Sequence, residues 1–320
     1  MEPVPRLIID TGGGIDGALA LLFALCDPGV AVHGITTVSG DSDADQAADQ
    51  ALRLIGLCLP EAEEPPPVAV GEAGPLARER DGPWIAGSGR NGFGGAMLPP
   101  PKGKAAAEPA AAFLASQAAA FPGELTLVLA GPVTNWPRAL EMDSHLAEKF
   151  KRIVVAGGAV FAAGNATPVA ERNFHADPEA AERLFATAGG RLTVVGLDVT
   201  MRARIRGEHL ERLSRGSPPE RERIVAFMRR MLNHSFAYYR RTERWLEAAP
   251  LGSALALVAA AEPGLFRTGV FRASVDTQAG LTAGMVVADR RARASVGREV
   301  CFCVETDEER AVERFLSAFS

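Results

Sequence analysis

Short, uninterrupted apolar runs alternate along the chain with longer stretches of helical character. The first run, Leu7-Ile8-Ile9, is followed by a predicted helix from Ala18 to Leu25. Val30 to Val38 predicts a second strand, and Asp45 to Cys58 a second helix. Val68-Ala69-Val70 predicts a short third strand, and the Ala-rich segment from Ala105 to Phe121 a third helix. Leu125 to Leu129, Ile153-Val154-Val155 and Leu192 to Leu197 are further runs of strand length. Strands that are apolar at every position, not at alternate ones, are covered on both faces, as in parallel sheets. The βαβα order therefore predicts an α/β fold with an open, mostly parallel, doubly wound sheet and helices on both faces. No repeat or boundary interrupts the rhythm, so residues 1–320 read as a single domain. Such sheets bind ligands beyond the carboxyl ends of their strands, and the residues directly after each strand are the ones to search for chemistry.

Two stretches break the pattern. Glu61 to Pro67 is acidic and Pro-rich, and Arg78 to Lys104 carries Gly, Pro and Trp84 with little periodicity. A loop as long as the second is expected to be a lid or binding element. Composition adds exclusions rather than a function: 47% apolar and 23% charged residues over 320 positions are ordinary for a globular chain. No apolar run approaches the ~20 residues of a membrane span, so no membrane partner is expected. A strand beginning at Leu7 leaves no room for a signal peptide ahead of it, and a cytoplasmic location is expected. The net charge of -5, with Lys and Arg scattered, argues against nucleic acid. The Arg-rich stretch from Arg202 to Arg244 recurs at helical spacing and reads as a solvated face. Cys301 and Cys303 alternate as on a strand and share a face, while Cys26 and Cys58 sit in apolar surroundings. No further Cys or His pair completes a metal pattern, so buried free thiols are expected.

After the first strand the chain reads Asp10-Thr11-Gly12-Gly13-Gly14-Ile15-Asp16-Gly17. Gly12, Gly14 and Gly17 fit G-x-G-x-x-G between strand and helix, where backbone amides at a helix N-terminus receive a phosphate. Asp41, just past the second strand, stands near the place of a ribose-binding acid. Alone, these features point to a dinucleotide or a phosphorylated riboside. Asp10 and Asp16 at the two ends of the loop oppose that, because a carboxylate repels a pyrophosphate unless a cation intervenes.

The same loop resembles, over a longer stretch, the opening D-x-D-P-G-x-D-D-A signature of the inosine-uridine preferring nucleoside hydrolases (nucleoside N-ribohydrolases). The resemblance continues in Thr36-Thr37-Val38-Ser39-Gly40-Asp41, where the family has Asn at the last position. It extends through Gly87 to Gly95 with Pro99-Pro100-Pro101, Ala130 to Asn135, Gly164 to Ala181, and Leu251 to Ala256 through Pro263, the last matching L-H-D-P-x-A. It implies the nucleoside hydrolase fold, a role in nucleoside salvage, and hydrolysis of an N-glycosidic bond through an oxocarbenium-like state. It also implies a calcium ion holding the attacking water and the ribose hydroxyls, and assembly as a homo-oligomer, dimer or tetramer.

Residue by residue, the resemblance is divided. The second Asp of the signature, ligand and base in the family, falls on Gly12, and the fourth, a bidentate ligand, falls on Gly17. The Asp of L-H-D-P falls on Ser253 and the His before it on Gly252, which leaves the Ala130 carbonyl from the ligand set. No metal is therefore expected, with Gly12, Gly17, Ala130 and Ser253 as vestigial positions, and calcium only where Asp10, Asp16 or Asp41 compensate. The sugar shell is kept: Asp16, Asn165, Glu171 and Asn173 match the residues that grip the ribose, and Asp10 matches the supporting first Asp. Asp41, a new carboxylate beside the vacated cation site, is the candidate base, with Asp10 as a second and Asp16 as a further alternative, should the chain be an active N-ribosyl hydrolase. The expected partner is a small-molecule riboside or ribose, bound by a protein whose hydrolysis is lost or altered. Asp177 is expected to cap the helix from Pro178, Asp198 and Thr200 to orient a loop, and His175 and His234 to pack.

Overall fold

The computed structural model describes residues 4–60, 62–244 and 247–320; Glu61, which opens the acidic Pro-rich stretch, and the three residues at the amino end lie outside the described residues. The apolar runs become strands β1 (Arg6–Thr11), β2 (Ala31–Thr37), β3 (Val68–Ala69), β4 (Leu125–Ala130), β5 (Arg152–Ala156) and β6 (Leu192–Val195). Arg204–Arg206 and Ala248–Pro250 form a small antiparallel ribbon, β7 and β8. The chain closes with β9 (Phe266–Val275), β10 (Val286–Asp289) and β11 (Arg298–Thr306). Nine of these strands build one sheet in the order β10-β9-β11-β6-β5-β4-β1-β2-β3. It is parallel from β3 to β11 and antiparallel over β9 and β10.

The parallel strands are buried on both faces because side chains alternate between two cores. Leu7, Ile9, Val128 and Val154 pack with the helices Gly14–Cys26 and Ala254–Ala261 on one side. Ile8, Leu127, Leu129, Ile153 and Val155 pack on the other. Among the described residues, no helix is long and apolar enough to cross a membrane.

The structure departs from the sequence expectations in several places. The first helix begins at Gly14, not near Ala18, which puts Asp16 in its first turn. The third covers only Ala110–Ala120, because Pro109 holds Glu108 out of the helical region and Ala106 bridges to Ala69 instead. The strand ending the Leu192 run stops at Val195, and Leu197–Thr200 turns into a helix. Strand β9, half-exposed with Arg267, Thr268 and Arg272 among its apolar residues, and the four-residue β10 were not legible. Cys301 and Cys303 do lie two apart on β11, but only Cys26 and Cys303 are buried; Cys58 and Cys301 are half-buried, and all four thiols are free. The basic stretch forms Gly207–Gly216 and Glu222–Thr242, with Arg212, Arg215, Arg229 and Arg230 exposed.

Candidate functional site

The carboxyl ends of β1, β2, β4, β5 and β6 enclose a cavity of about 80 Å³ lined by the glycine loop, Asp16, Asp41, Ala130, Glu171, Arg172, Asn173 and Ser253. Two outer cavities of about 340 and 470 Å³ adjoin it, and Trp84, Asn165 and Arg172 line all three. The loop Arg78 to Lys104 supplies Trp84, Gly87 and Ser88 to this wall. His234 fastens that loop, its Nε2 lying 3.2 Å from the Ala86 carbonyl oxygen, while Gly94 rests against the His234 Cβ.

The glycine loop turns through two left-handed residues, Gly13 (φ 69) and Gly14 (φ 72). Proline, fixed near φ ≈ −65°, cannot take the path of Gly13, so the loop here differs from one built on D-x-D-P-G. Its amides are already engaged. Gly13 N–H donates to Thr11 Oγ1 (3.2 Å), Gly14 N–H to Gln50 Oε1 (3.0 Å), and Ile15 N–H to Ser88 Oγ (3.3 Å). The open amide cradle that a phosphate needs is absent from these three positions, against the expectation from G-x-G-x-x-G.

Asp10 does not line the cavity. It is fully buried under it, where one carboxylate oxygen accepts from Thr36 Oγ1 (2.7 Å) and Asn135 Nδ2 (2.8 Å), tying β1 to β2 and to the helix Asn135–Met142. Its other oxygen has no partner, and burial pushes its pKa to about 6. The candidate role of Asp10 as a base thus gives way to that of a strut, for want of access.

Asp41 does reach the cavity. Its carboxylate lies against Gly14, where no Cβ intervenes, and accepts from Ser88 Oγ (3.2 Å). Burial raises its pKa to about 7, Arg172 opposes the rise, and the charges of Asp16 and Glu171 add to it. Asp16 is raised by the same desolvation, held back by Ser253, whose backbone N–H (2.9 Å) and Oγ (3.1 Å) both donate to it. Glu171 receives the N–H groups of Gly158 (3.2 Å), Asn173 (2.9 Å) and Phe174 (3.1 Å) on one oxygen, and burial lifts its pKa to about 6. Asn173 Nδ2 donates to the Ala156 carbonyl (2.9 Å), and Asn165 Oδ1 accepts the Arg172 N–H (2.9 Å), so both amides are partly used in holding their loop. The remaining expectations fall at the rim or beneath. Asp177 caps Pro178–Ala188 through Ala180 N–H (3.0 Å), and Asp198 gathers the amides of Val160, Phe161 and Ala162. Thr200 lines the cavity, and His175 Nδ1 lies 2.9 Å from the Ala283 carbonyl oxygen.

Residues 7–313 match the inosine-uridine preferring nucleoside hydrolase family. The chain belongs to that family. It is 36% identical to the pyrimidine-specific ribonucleoside hydrolase of Shewanella oneidensis over 287 residues, 89% of this chain and 86% of that one. To uridine nucleosidase 1 of Arabidopsis thaliana it is 40% identical over 209 residues, 64% of this chain and 60% of the plant protein, so the matched region spans under two thirds of that relative. Among solved structures, it is similar to a plant nucleoside hydrolase (TM-score 0.88, 28% identity, 99% of both chains). It is also similar to a purine-preferring ribonucleoside hydrolase from Gardnerella vaginalis (TM-score 0.88, 26% identity, 98% of both).

The calcium that the family implies does not fit these residues. Gly12 and Gly17 carry no side-chain oxygen, Ser253 spends its hydroxyl on Asp16, and no cluster of acids, histidines or cysteines among the described residues has the makings of a metal site. Calcium asks for roughly six to eight oxygens, several of them anionic. The vacated spaces are moreover filled from within. A Cβ on Gly17 would lie 2.4 Å from Thr11 Oγ1, and one on Gly252 (φ 51) would lie 1.9 Å from an Asp16 oxygen. Asp16 thus stands where a side chain at position 252 would begin, and it accepts the Ser253 N–H at the start of Ala254–Ala261.

Arg172 is a cavity-lining side chain that the sequence analysis did not single out. It was visible between the assigned Glu171 and Asn173, but nothing in the pattern told where a long side chain at that position reaches. Its guanidinium lies 3.8 Å over the Trp84 ring, and its charge is felt by Asp16, Asp41 and Glu171 alike. Tyr239, also lining the cavity, has its phenol pushed well up by burial and by the charge of Asp16.

Proposed function

We propose that this family member binds ribosides or ribose without calcium, and that its hydrolysis of the N-glycosidic bond is lost or slowed relative to calcium-dependent members. The observation that carries the reading is the donor set at the positions where the resemblance implies calcium ligands. Glycines and a serine stand there, Thr11 and Asp16 leave no room for side chains at positions 17 and 252, and Arg172 brings a fixed positive charge to the acids of the cavity. The pyrimidine-specific and uridine-directed names of the relatives make uridine the first ligand to try. The test is calorimetry with ribose, uridine and inosine, in EDTA and in millimolar calcium, alongside a hydrolysis assay. Binding indifferent to calcium supports the reading; calcium-dependent turnover at ordinary enzyme rates overturns it.

A second reading is favoured by Asp41. A carboxylate with pKa about 7 at the mouth of a strand is suited to take a proton from water near neutrality, so slow calcium-independent hydrolysis would run through it. Asp41→Asn would then abolish that residual activity, and full retention would dismiss Asp41 as base. The phosphorylated-riboside reading has weaker support, because the Gly13, Gly14 and Ile15 amides are taken. Cytoplasmic location is supported by the free thiols of Cys26 and Cys58, hydrogen-bonded side by side and not bridged. Assembly as a dimer or tetramer is supported by the apolar side chains Val270, Leu281, Val287 and Val296, exposed on and beside β9 and β10.

A further inference from the structure

We propose that Arg172 is the resident cation of this cavity, standing in for the divalent ion and donating hydrogen bonds to the sugar hydroxyls whose protons Asp41 and Glu171 accept. The inference rests on the riboside-binding reading above and names the residue that makes it independent of metal.

Three features of the structure point to this residue. The first is charge: Asp16, Asp41 and Glu171 gather in one water-poor hollow, and Arg172 is the basic side chain that acts on all three. The second is placement. The Arg172 backbone N–H is held by Asn165, Glu171 fixes the next turn through the Asn173 and Phe174 amides, and the guanidinium carbon lies 3.8 Å over the Trp84 ring. Trp84 is itself immobilised: its N–H donates to the Asp41 carbonyl (3.0 Å), its ring meets Tyr238 edge-on at 5.1 Å, and Gly87 leaves it room where a Cβ would sit 2.2 Å away. The third is unused capacity. Among the described residues no carboxylate forms a direct ion pair with Arg172, so the donors of its planar fork remain for a ligand. A guanidinium keeps its charge at every working pH and only donates; a vicinal diol both accepts from it and donates to carboxylates, so the two sets are complementary. Unlike a metal, this cation cannot be chelated away.

The experiment compares wild type, Arg172→Met and Arg172→Lys by calorimetry with uridine and ribose in EDTA, and by thermal melts at about pH 8 with and without millimolar calcium. The expected result is wild-type affinity unchanged by EDTA, a loss of roughly tenfold or more in Arg172→Met, and an intermediate loss in Arg172→Lys, which keeps the charge but not the fork. Arg172→Met, whose acids have lost their counter-ion, is expected to melt below wild type with Arg172→Lys between them, and calcium to leave all three unchanged. Arg172→Met binding within twofold of a binding-competent wild type overturns the proposal while the functional reading stands. Should wild type bind no riboside at all, the functional reading falls, and the melts alone decide on Arg172. Arg172→Met as stable as wild type, or a loss shared in full by Arg172→Lys, overturns its role as counter-ion; a loss that Arg172→Lys partly recovers upholds it.

Discussion

Asp41→Asn exchanges a half-buried carboxylate for a neutral side chain of the same shape, and Asn keeps an oxygen to accept the Ser88 hydroxyl. In the folded protein burial raises the Asp41 pKa from 3.8 to about 7, even after the help of Arg172. A group whose folded pKa is raised lends stability below its unfolded pKa and loses it as pH climbs through the folded value. Wild type and variant are therefore expected to be equally stable below about pH 4, where both side chains are neutral. Between about pH 4 and 7 the wild type falls behind, and by about pH 8 the gap reaches roughly 4 kcal/mol in favour of Asn, at ~1.4 kcal/mol per tenfold change in proton affinity. That is a large part of the 5–15 kcal/mol, roughly, that a folded domain commands. Urea unfolding followed by circular dichroism at several pH values measures the gap directly. A difference that stays flat with pH, or a variant weaker than wild type at about pH 8, would refute the claim that Asp41 is held in a water-poor hollow.

Other substitutions probe how the vacated positions are filled. Gly252→Ala places a Cβ 1.9 Å from the Asp16 carboxylate on a backbone with φ 51, and is expected to cost about 1–3 kcal/mol in thermal or denaturant unfolding; a neutral outcome would mean that Asp16 is not bound to Ser253. Gly17→Asp, the family's residue restored, meets Thr11 Oγ1 at 2.4 Å and is expected to destabilise by about 1–3 kcal/mol, with part of the loss recovered when Thr11→Ala is added. Ser88→Ala removes the hydroxyl that favours ionised Asp41 and serves the Ile15 amide; the Asp41 titration, followed by carboxyl carbon NMR, is expected to move up. Trp84→Ala removes the platform under Arg172 and the edge-on contact with Tyr238, and is expected to weaken uridine binding in calorimetry and to cost about 1–3 kcal/mol in unfolding, less than a fully buried Trp because it is half-exposed.

Much of this protein was legible along the chain. Runs such as Leu7-Ile8-Ile9 and Ile153-Val154-Val155 announce parallel strands because burial on two faces leaves no polar position, a property of composition over a few residues. The motif order from Asp10 to Pro263 pointed to the family, and the same resemblance sets glycines at positions 12 and 17 where it implies carboxylates, since a residue type is a local fact. What replaces them was decided only by the tertiary structure. Asp16 accepts from Ser253 across 237 positions of sequence, Thr11 Oγ1 lies against Gly17, and Asp10 is buried beneath the cavity that Asp41 lines. Arg172 was in plain view within the longest motif, yet its reach over Trp84 toward three acids depends on a loop that begins far upstream. Periodicity reports which face of an element is buried; it carries no information on which distant side chain occupies the space that a missing one leaves, because that is set by packing between elements.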